Sequence, residues 1–231
     1  MLRALAADCL ALFFPQACLA CQQVLVAGEQ HLCTACRIEL PYTDHHRLPP
    51  DQQPLARRFW GKVPVQHVLS YLHFVRHGRT QLLLHQLKYR GQRHVGYTLG
   101  RLYGAELASA ELAGAAEVIV PVPLHPRKLA RRGYNQAEAF GSGLAEALGC
   151  SCRPHALRRT THTDSQTRKS RAERWENVAT VFEVAEPAAI TGRHVLLVDD
   201  VLTTGATLEA CAQALLAAGA RALSIATVAA A

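Results

Sequence analysis

The sequence predicts an α/β domain in which a mostly parallel sheet is flanked by helices on both faces. The stretches EVIV (117–120) and HVLLV (194–198) are continuously apolar, which is typical of strands buried on both sides. Residues 135–148 place Phe140 and Leu144 on one helical face and end at Gly149. Strands that alternate with such helices predict a parallel sheet. Ligands of parallel sheets bind beyond the carboxyl ends of the strands.

Each predicted element depends on a local pattern. Residues 67–75 are rich in Val, Leu and Tyr, as strands are. The helix at 80–89 is followed by Gly91, and the helix at 206–218 is followed by Gly219. In chain order the predicted strands are 67–75, 117–120, 156–157, 180–184, 194–198 and 222–228, and the predicted helices are 80–89, 94–109, 135–148 and 206–218.

Composition and charge narrow the classes of function. Of the 231 residues, 49% are hydrophobic and 19% are charged, which is typical of a folded globular protein. No apolar run is long enough to span a bilayer. The net charge of +7 suits nucleic acid or a small polyanion such as a sugar phosphate. Basic residues cluster in two loops, 127–132 and 158–174, without interleaved aromatic residues, and this favours a phosphate pocket.

The chain is predicted to have two domains. Residues 41–64 contain five prolines among polar residues, which indicates a linker or an extended irregular segment. We therefore expect an N-terminal helix, a cysteine module and the linker in 1–54, and the α/β domain in 55–231. The first seventeen residues weakly resemble a signal peptide, but Asp8 interrupts them and no clear cleavage site follows. An amphipathic helix that stops at Pro15 fits them better, so we expect a cytoplasmic protein.

An acidic pair and a threonine-glycine loop follow the HVLLV strand. Asp199 and Asp200 come directly after it, where two carboxylates can accept hydrogen bonds from the hydroxyls of a ribose. The loop enters a helix, whose first amides and dipole favour an anion such as a 5′-phosphate. A capped helix with solvated aspartates is the alternative. The ligand-binding candidates are Asp199, Asp200, Val201, Thr203, Thr204, Gly205, Ala206 and Thr207.

A basic segment follows the EVIV strand. Three prolines stiffen residues 121–126, so we expect a rigid loop, and Asn135 is expected to cap the next helix. Arginine matches phosphate oxygens with parallel hydrogen bonds, so the loop is a candidate pyrophosphate site, with a solvated basic loop as the alternative. Its cationic candidates are Arg127, Lys128, Arg131 and Arg132.

Residues 195–207 resemble the phosphoribosyl-pyrophosphate signature of type I phosphoribosyltransferases, with four hydrophobic residues, two acids and a Thr-Gly loop. This resemblance implies the type I phosphoribosyltransferase fold, with ribose hydroxyls on the acidic pair and the 5′-phosphate on residues 203–207. The patterns at 121–135, 88–91 (KYRG) and 165–171 (SQTRKSR) are similar to the ComF family, a phosphoribosyltransferase-like branch tied to DNA uptake in competence. That resemblance covers essentially the whole chain. It adds as candidates Lys88, Asn135, Gln166 and Arg171.

The polar segment 160–177 is a candidate lid. It is too polar for a core element, and long polar loops inside compact domains often close over a site. Chemistry at the anomeric carbon passes through an oxocarbenium-like state, from which water must be excluded. Gln166 and Arg171 would then cover pyrophosphate. A surface loop, or a short helix beginning near Arg171, is the alternative.

Four cysteines near the N-terminus predict a small zinc ribbon. Cys18 and Cys21 form one Cys-x-x-Cys pair, and Cys33 and Cys36 form a second after eleven residues. Two such pairs complete a tetrahedral site with no open position, which indicates structural zinc. His31 as a substitute ligand, two disulfides and free thiols are the alternatives.

Three functions remain open from the sequence. The first is transfer between phosphoribosyl pyrophosphate and an unknown acceptor, with Mg²⁺ bridging the diphosphate and the ribose hydroxyls. Asp200 is the first catalytic candidate and Asp199 the second. The second is a non-catalytic module that binds a phosphorylated ribose and acts with a protein of the DNA-uptake machinery. The third is nucleic-acid binding through the ribbon, which lacks stacking aromatic residues near its cysteines.

Overall fold

The computed structural model describes residues 16–89, 91–110, 116–160 and 181–231. The strands in these ranges are β1 (Val68–His73), β2 (Val118–Pro121), β3 (Ser151–Cys152), β4 (Leu157–Arg159), β5 (Phe182–Val184), β6 (His194–Leu202) and β7 (Ala222–Ala230). The helices are α1 (Thr34–Glu39), α2 (Arg79–Tyr89), α3 (Arg93–Ser109), α4 (Pro126–Arg132), α5 (Gln136–Leu148) and α6 (Ala206–Ala217). Short 3₁₀ turns lie at His45–Arg47, Pro50–Gln52, Pro54–Arg58 and Pro187–Ala189.

Five strands form one parallel sheet, as the sequence predicts, in the order β1-β7-β6-β2-β3. The prediction that β6 ends at Val198 is wrong, because β6 continues to Leu202. Hydrogen bonding to β7 accounts for the extension, since Asp199 pairs with Thr227 and Leu202 pairs with Ala230. On the other flank β2 already ends at Pro121, opposite Val198. The part of β6 that carries the acidic pair is therefore paired with a neighbouring strand, β7, on one side and extends beyond β2 on the other.

The sheet is buried between two layers, as its continuous apolar strands predict. Alternate residues of β6 face opposite sides: Leu196 and Val198 pack with α3 and α5, whereas Val195 and Leu197 pack with α6. On the first side α3 and α5 run very close together. A Cβ on Gly100 would lie 2.1 Å from the Phe140 carbonyl oxygen, so this crossing requires glycine.

The structure also differs from the sequence prediction in three further places. The segment after β2 contains a helix, α4, because His125 caps it and Pro126 occupies its first turn. Strands β4 and β5 form a separate antiparallel pair and do not join the main sheet. The two-residue strand β3 pairs with β2 and has no pattern of its own.

The proline-rich segment 41–64 packs onto the α/β domain. Leu55, Phe59 and Val63 are buried in the same cluster as α6. The cysteine module shares the other cluster, in which Leu32 and Cys36 lie with Leu83 of α2. Both hydrophobic clusters therefore contain residues from the two sides of the proposed boundary near residue 55, or from the segment that spans it.

Within the described ranges, no helix is long and apolar enough to cross a membrane. The predicted N-terminal amphipathic helix lies outside the described residues.

Candidate functional site

The two carboxylates of β6 point to opposite faces of the strand. Asp200 faces α2, where its Oδ2 lies 3.1 Å from Lys88 Nζ in a mostly buried ion pair. Asp199 faces the α6 side, and its Oδ1 accepts a hydrogen bond from the Asp200 amide at 2.8 Å. Because β2 has already ended, neither side chain is covered by a neighbouring strand on that flank. Both carboxylates line a cavity there.

The environment of Asp199 disfavours its charge. Burial is the largest cause and repulsion from Asp200 adds to it, and together they raise the pKa of Asp199 to about 7. The hydrogen bond from the Asp200 amide and the charges of Lys88 and Arg132 oppose the shift. The site therefore holds a carboxyl group that titrates near neutral pH, which is typical of functional positions.

The Thr-Gly loop, residues 203–207, connects β6 to α6. Gly205 is the N-cap of α6 with φ of 86°, a left-handed conformation that favours glycine, and no side chain caps the helix there. Thr203, Thr204 and Thr207 are exposed, and Thr207 lines the same cavity as the carboxylates. The first amides of α6 and its dipole therefore favour an anion beside the acidic pair.

The basic helix α4 presents its cations on two faces. Residues four apart share a helical face, so Lys128 and Arg132 form one pair and Arg127 and Arg131 form another. Lys128 and Arg132 line the cavity. Arg127 and Arg131 are exposed and lie outside the lining that the described residues make. The sequence expected a loop that brings all four to the ligand, whereas the helix separates them.

The end of α4 is fastened to its neighbours. Arg132 Nη1 donates to Gln136 Oε1 at 2.6 Å, and the Tyr134 hydroxyl donates to the Leu87 carbonyl of α2. Asn135 caps α5 as predicted, because its Oδ1 accepts from the Ala137 amide at 3.1 Å. Its Nδ2 also donates to the Val122 carbonyl at 2.9 Å, which fixes the turn after β2. These contacts hold the cationic face of α4 against the site.

The cavity beside the acidic pair, here the first cavity, has a volume of about 180 Å³. It brings together the carboxylates, the start of α6 and the cations of α4. The sequence-predicted residues that line it are Lys88, Lys128, Arg132, Asn135, Asp199, Asp200 and Thr207. Gln166 and Arg171 lie outside the described residues, as does the candidate lid.

A second cavity, of about 450 Å³, lies on the other side of the Lys88–Asp200 ion pair. Val201, a predicted site residue, lines it together with Phe74 of the β1–α2 connection. His85 and Tyr89 of α2 also line it, with ring centroids 5.1 Å apart. This cavity is therefore more aromatic than the first and shares Lys88 and Asp200 with it.

Three site residues were missed from the sequence. His125 and Arg159 line the first cavity, and Arg58 contacts the Thr-Gly loop from behind. Arg159 belongs to the basic cluster 158–174, which was the signal that could have identified it. His125 lies within the 121–135 pattern but was not singled out there, and Arg58 has no local motif, since its role depends on contacts made by folding.

The four cysteine sulfurs converge on one point. The Sγ atoms of Cys18, Cys21, Cys33 and Cys36 all lie within 4.8 Å of one another. Thiolates are the soft ligands that zinc prefers, so donor type, number and spacing fit a tetrahedral ion. His31 is exposed and is not part of this cluster. Gly28 lies in the turn between the two pairs with φ of 91°.

Helix α2 links the cysteine cluster to the acidic pair. At its first residue, Arg79 Nη1 lies 2.7 Å from Cys36 Sγ, and the same guanidinium forms an ion pair with Glu39. Further along, the Gln86 side-chain amide donates to the Leu19 carbonyl of the module. Near its last turn, Lys88 holds Asp200. One helix thus contacts both candidate sites.

Comparison with known proteins first defines the class of fold. The family model of the phosphoribosyl transferase domain matches residues 136–231, which include the acidic pair and the Thr-Gly loop. With its parallel sheet, the chain has the type I phosphoribosyltransferase fold, preceded by a small four-cysteine ribbon. A solved structure, glutamine phosphoribosylpyrophosphate amidotransferase from B. subtilis in complex with ADP and GMP, is similar to it at 19% identity and a TM-score of 0.43. That match covers 62% of this chain and 30% of the amidotransferase chain.

Comparison with curated relatives then gives the family. DNA utilization protein YhgH of Escherichia coli (strain K12) is 30% identical over 226 residues, which cover 91% of this chain and 95% of the relative. Competence protein F of Haemophilus influenzae is 29% identical over 214 residues, covering 85% and 89%. The chain belongs to the ComF family, which confirms the resemblance seen in the sequence.

Proposed function

We propose that the first cavity binds phosphoribosyl pyrophosphate together with Mg²⁺. The observation that carries the proposal is the meeting, around one cavity, of two carboxylates, a helix N-terminus and a cationic helix face. The three groups match the three parts of this ligand. The Thr-Gly loop would hold the 5′-phosphate, Asp199 and Asp200 the ribose hydroxyls, and Lys128 and Arg132 the diphosphate.

The oxygen donors of the site fit magnesium. Mg²⁺ prefers carboxylate and phosphate oxygens and keeps several of its ligands from substrate and water, so one or two protein carboxylates suffice. Asp199 and Asp200 are the residues that would face it. When bound, the ion would neutralise charge on the diphosphate and so help it to leave.

The further proposal is transfer of the phosphoribosyl group to an acceptor. The bond between C1 and the pyrophosphate oxygen breaks, pyrophosphate leaves with the electron pair, and the acceptor forms a new bond to C1 and loses a proton. Positive charge develops on the sugar, and Asp200, held in place by Lys88, would stabilise it. The second cavity adjoins Asp200, and its aromatic lining supports a planar acceptor there.

Pyrophosphate release tests catalysis. The full chain is incubated with phosphoribosyl pyrophosphate, Mg²⁺ and a panel of nucleobases, and released pyrophosphate is compared with the hydrolysis background. We expect release above background with at least one base. The Asp199→Asn/Asp200→Asn variant should show background release only. Equal release by the variant would remove these two residues from the mechanism.

A non-catalytic binding module is the second candidate. The names of the relatives, DNA utilization protein and competence protein, support it, since both refer to DNA use or competence. In this case the pocket senses phosphoribosyl pyrophosphate and the protein acts with a partner in DNA uptake. Calorimetry showing binding without pyrophosphate release for any acceptor would support this candidate over the transferase.

We further propose that Cys18, Cys21, Cys33 and Cys36 hold a structural zinc ion, which would suit a reducing compartment such as the cytoplasm. The four converging sulfurs support this. Metal analysis of the reduced protein should find about one zinc per chain. The Cys18→Ser/Cys36→Ser variant should lose it. A reduced wild-type chain that takes up no zinc would contradict the proposal.

A further inference from the structure

The Thr-Gly loop is supported from behind by a segment of the proline-rich region. This brace, residues 54–59, consists of the 3₁₀ turn Pro54–Arg58 and Phe59. Phe59 is fully buried, and its ring lies 3.2 Å from the position that a Cβ on Gly205 would take. Leu55 and Ala56 are buried in the same cluster as Leu202 at the end of β6. The brace therefore packs against Leu202, which precedes the loop, and against Gly205 in its middle.

Arg58 makes the polar contacts of the brace. Its Nη1 donates to the Thr203 carbonyl, and to the Leu202 carbonyl at 3.4 Å. Its Nη2 donates to the Ala231 carbonyl at 2.6 Å. A guanidinium suits this task because its donors form a rigid planar fork, whereas lysine offers a single flexible ammonium. Arg58 thus contacts two consecutive peptide units. The Leu202 carbonyl also accepts a hydrogen bond from the Ala231 amide at 3.0 Å, so β7 and Arg58 hold the first unit together, and Arg58 holds the second through the Thr203 carbonyl.

The orientation of these peptide units bears on ligand binding. In a planar trans peptide, the carbonyl of one residue and the amide N–H of the next point in opposite directions. Fixing the Leu202 carbonyl fixes the Thr203 amide, and fixing the Thr203 carbonyl fixes the Thr204 amide. With both carbonyls turned towards Arg58, both amides are turned away from it. Backbone amides aimed at one point are what a phosphate group requires.

We propose that Arg58 is a positioning residue for the Thr-Gly loop, which orients the Thr204 amide and, together with the β7 ladder, the Thr203 amide towards the 5′-phosphate without touching the ligand. The inference deepens the proposed function and rests on it. It also gives the proline-rich region a role in the site, since the cationic group that shapes the loop precedes Thr203 in sequence by 145 residues.

The chain offers a matched control. Arg57 lies in the same 3₁₀ turn, is exposed, and stacks over the Trp60 ring at 5.9 Å. Arg57→Ala removes the same charge from the same turn and leaves the contacts to the loop intact. Two probes separate the ends of the site: ribose 5-phosphate reports on the loop, and inorganic pyrophosphate reports on α4.

Calorimetry of the full-length protein with Mg²⁺ tests the proposal. Arg58→Ala should weaken ribose 5-phosphate binding about tenfold, because misdirected amides lose charge-assisted hydrogen bonds. Its pyrophosphate affinity, and both affinities of Arg57→Ala, should stay within about twofold of wild type. Arg58→Lys should recover part of the loss. Equal ribose 5-phosphate affinity in Arg58→Ala and Arg57→Ala would overturn the proposal.

Hydrogen exchange gives a readout that needs no ligand. In Arg58→Ala the amides of residues 203–207 should exchange faster than in Arg57→Ala, and unchanged exchange would again overturn the role of Arg58. If wild type binds neither ribose 5-phosphate nor phosphoribosyl pyrophosphate, the proposed function fails, and exchange still decides whether Arg58 holds the loop. If Arg58→Ala does not fold, Arg58→Lys replaces it, and wild-type affinity with wild-type exchange in that variant would refute the need for the fork.

Discussion

The two walls of the first cavity offer different chemical groups to a ligand. The wall of β6 and the Thr-Gly loop offers backbone amides and two short carboxylates, held by the β7 ladder, Phe59 and Arg58. The wall of α4 offers long cationic side chains on a seven-residue helix. The first wall is preorganised because its amides belong to the main chain and its short carboxylates are held by Lys88 and the Asp200 amide. The second can adjust, since lysine and arginine side chains retain rotamer freedom.

The comparison assigns different tasks to the walls. Preorganised amides impose geometry, and they lose binding sharply when the backbone moves. Flexible cations supply charge, and when one cationic side chain is removed its neighbours can partly compensate. Variants that disturb the β6 wall should therefore weaken ligand binding more than variants that disturb the α4 wall.

The largest difference should come from two glycines. Gly205→Ala and Gly133→Ala both place a side chain at positive φ, which costs about 1 kcal/mol each. Only at Gly205 does the new Cβ also press on Phe59, whereas the space around Gly133 is open. We expect Gly205→Ala to weaken ribose 5-phosphate binding roughly thirtyfold and Gly133→Ala to leave it within about twofold. Calorimetry and thermal unfolding would show this, and equal losses would contradict the comparison.

On the α4 wall the effect should depend on the helical face. Arg132→Ala removes a cavity-lining cation that is held by Gln136. It should weaken pyrophosphate binding about tenfold, whereas Arg127→Ala, on the exposed face, should cost less than about twofold. Titration of both variants with pyrophosphate and Mg²⁺ measures this. A larger loss for Arg127→Ala would show that α4 turns its other face to the ligand.

The titration of Asp199 should give opposite pH effects on stability and on binding. Between the ordinary carboxyl pKa of 3.8 and about 7, the folded protein keeps a proton that the unfolded chain has lost. The free energy of unfolding should therefore fall as pH rises through this window and level off above about 7.

Binding of phosphoribosyl pyrophosphate with Mg²⁺ requires the ionised Asp199 carboxylate, so the affinity for this ligand should rise up to about tenfold between about pH 6 and pH 8. Calorimetry at these values measures it, and Asp199→Asn keeps only the titration of the ligand itself. An identical pH profile in the variant would place the titrating group elsewhere.

The smallest expected effect is that of salt. Raising ionic strength from about 0.05 M to about 0.5 M should weaken pyrophosphate binding several-fold, because Lys128 is exposed and its charge is screened. Ribose 5-phosphate, held mainly by amides, should lose less. The affinity of the wild type for each probe is measured across this salt range. An equal dependence of the two affinities on ionic strength would contradict this difference between the walls.

The same contrast decides what the sequence could predict. The acidic pair and the Thr-Gly loop are contiguous, so their proximity at one edge of the sheet can be inferred from nine consecutive residues, 199–207. The parallel sheet followed from apolar runs such as 194–198, although the register that carries β6 to Leu202 depends on β7 and was not visible. The four cysteines were also found by spacing alone, and their sulfurs converge as expected.

Other parts of the site depend on tertiary contacts. The basic segment was expected to be a loop, because its prolines conceal a helix start that His125 completes. Which cations face the cavity follows from that helix and could not be predicted without it. Arg58 contacts carbonyls 144 and 145 residues away, and no local pattern marks such a contact. The ligand roles of all the candidate site residues stay predictions, and Gln166 and Arg171 also lie outside the described residues.

The placement of α2 has a practical consequence for truncated versions of the protein. Its Leu83 and Leu87 are fully buried in a cluster that the cysteine module completes, and its polar groups use Cys36 and Leu19 as partners. A chain shortened to begin after the module would expose these leucines to water. We expect it to aggregate on expression or to lose the helix that carries Lys88, so the α/β portion is best studied with its N-terminal module attached.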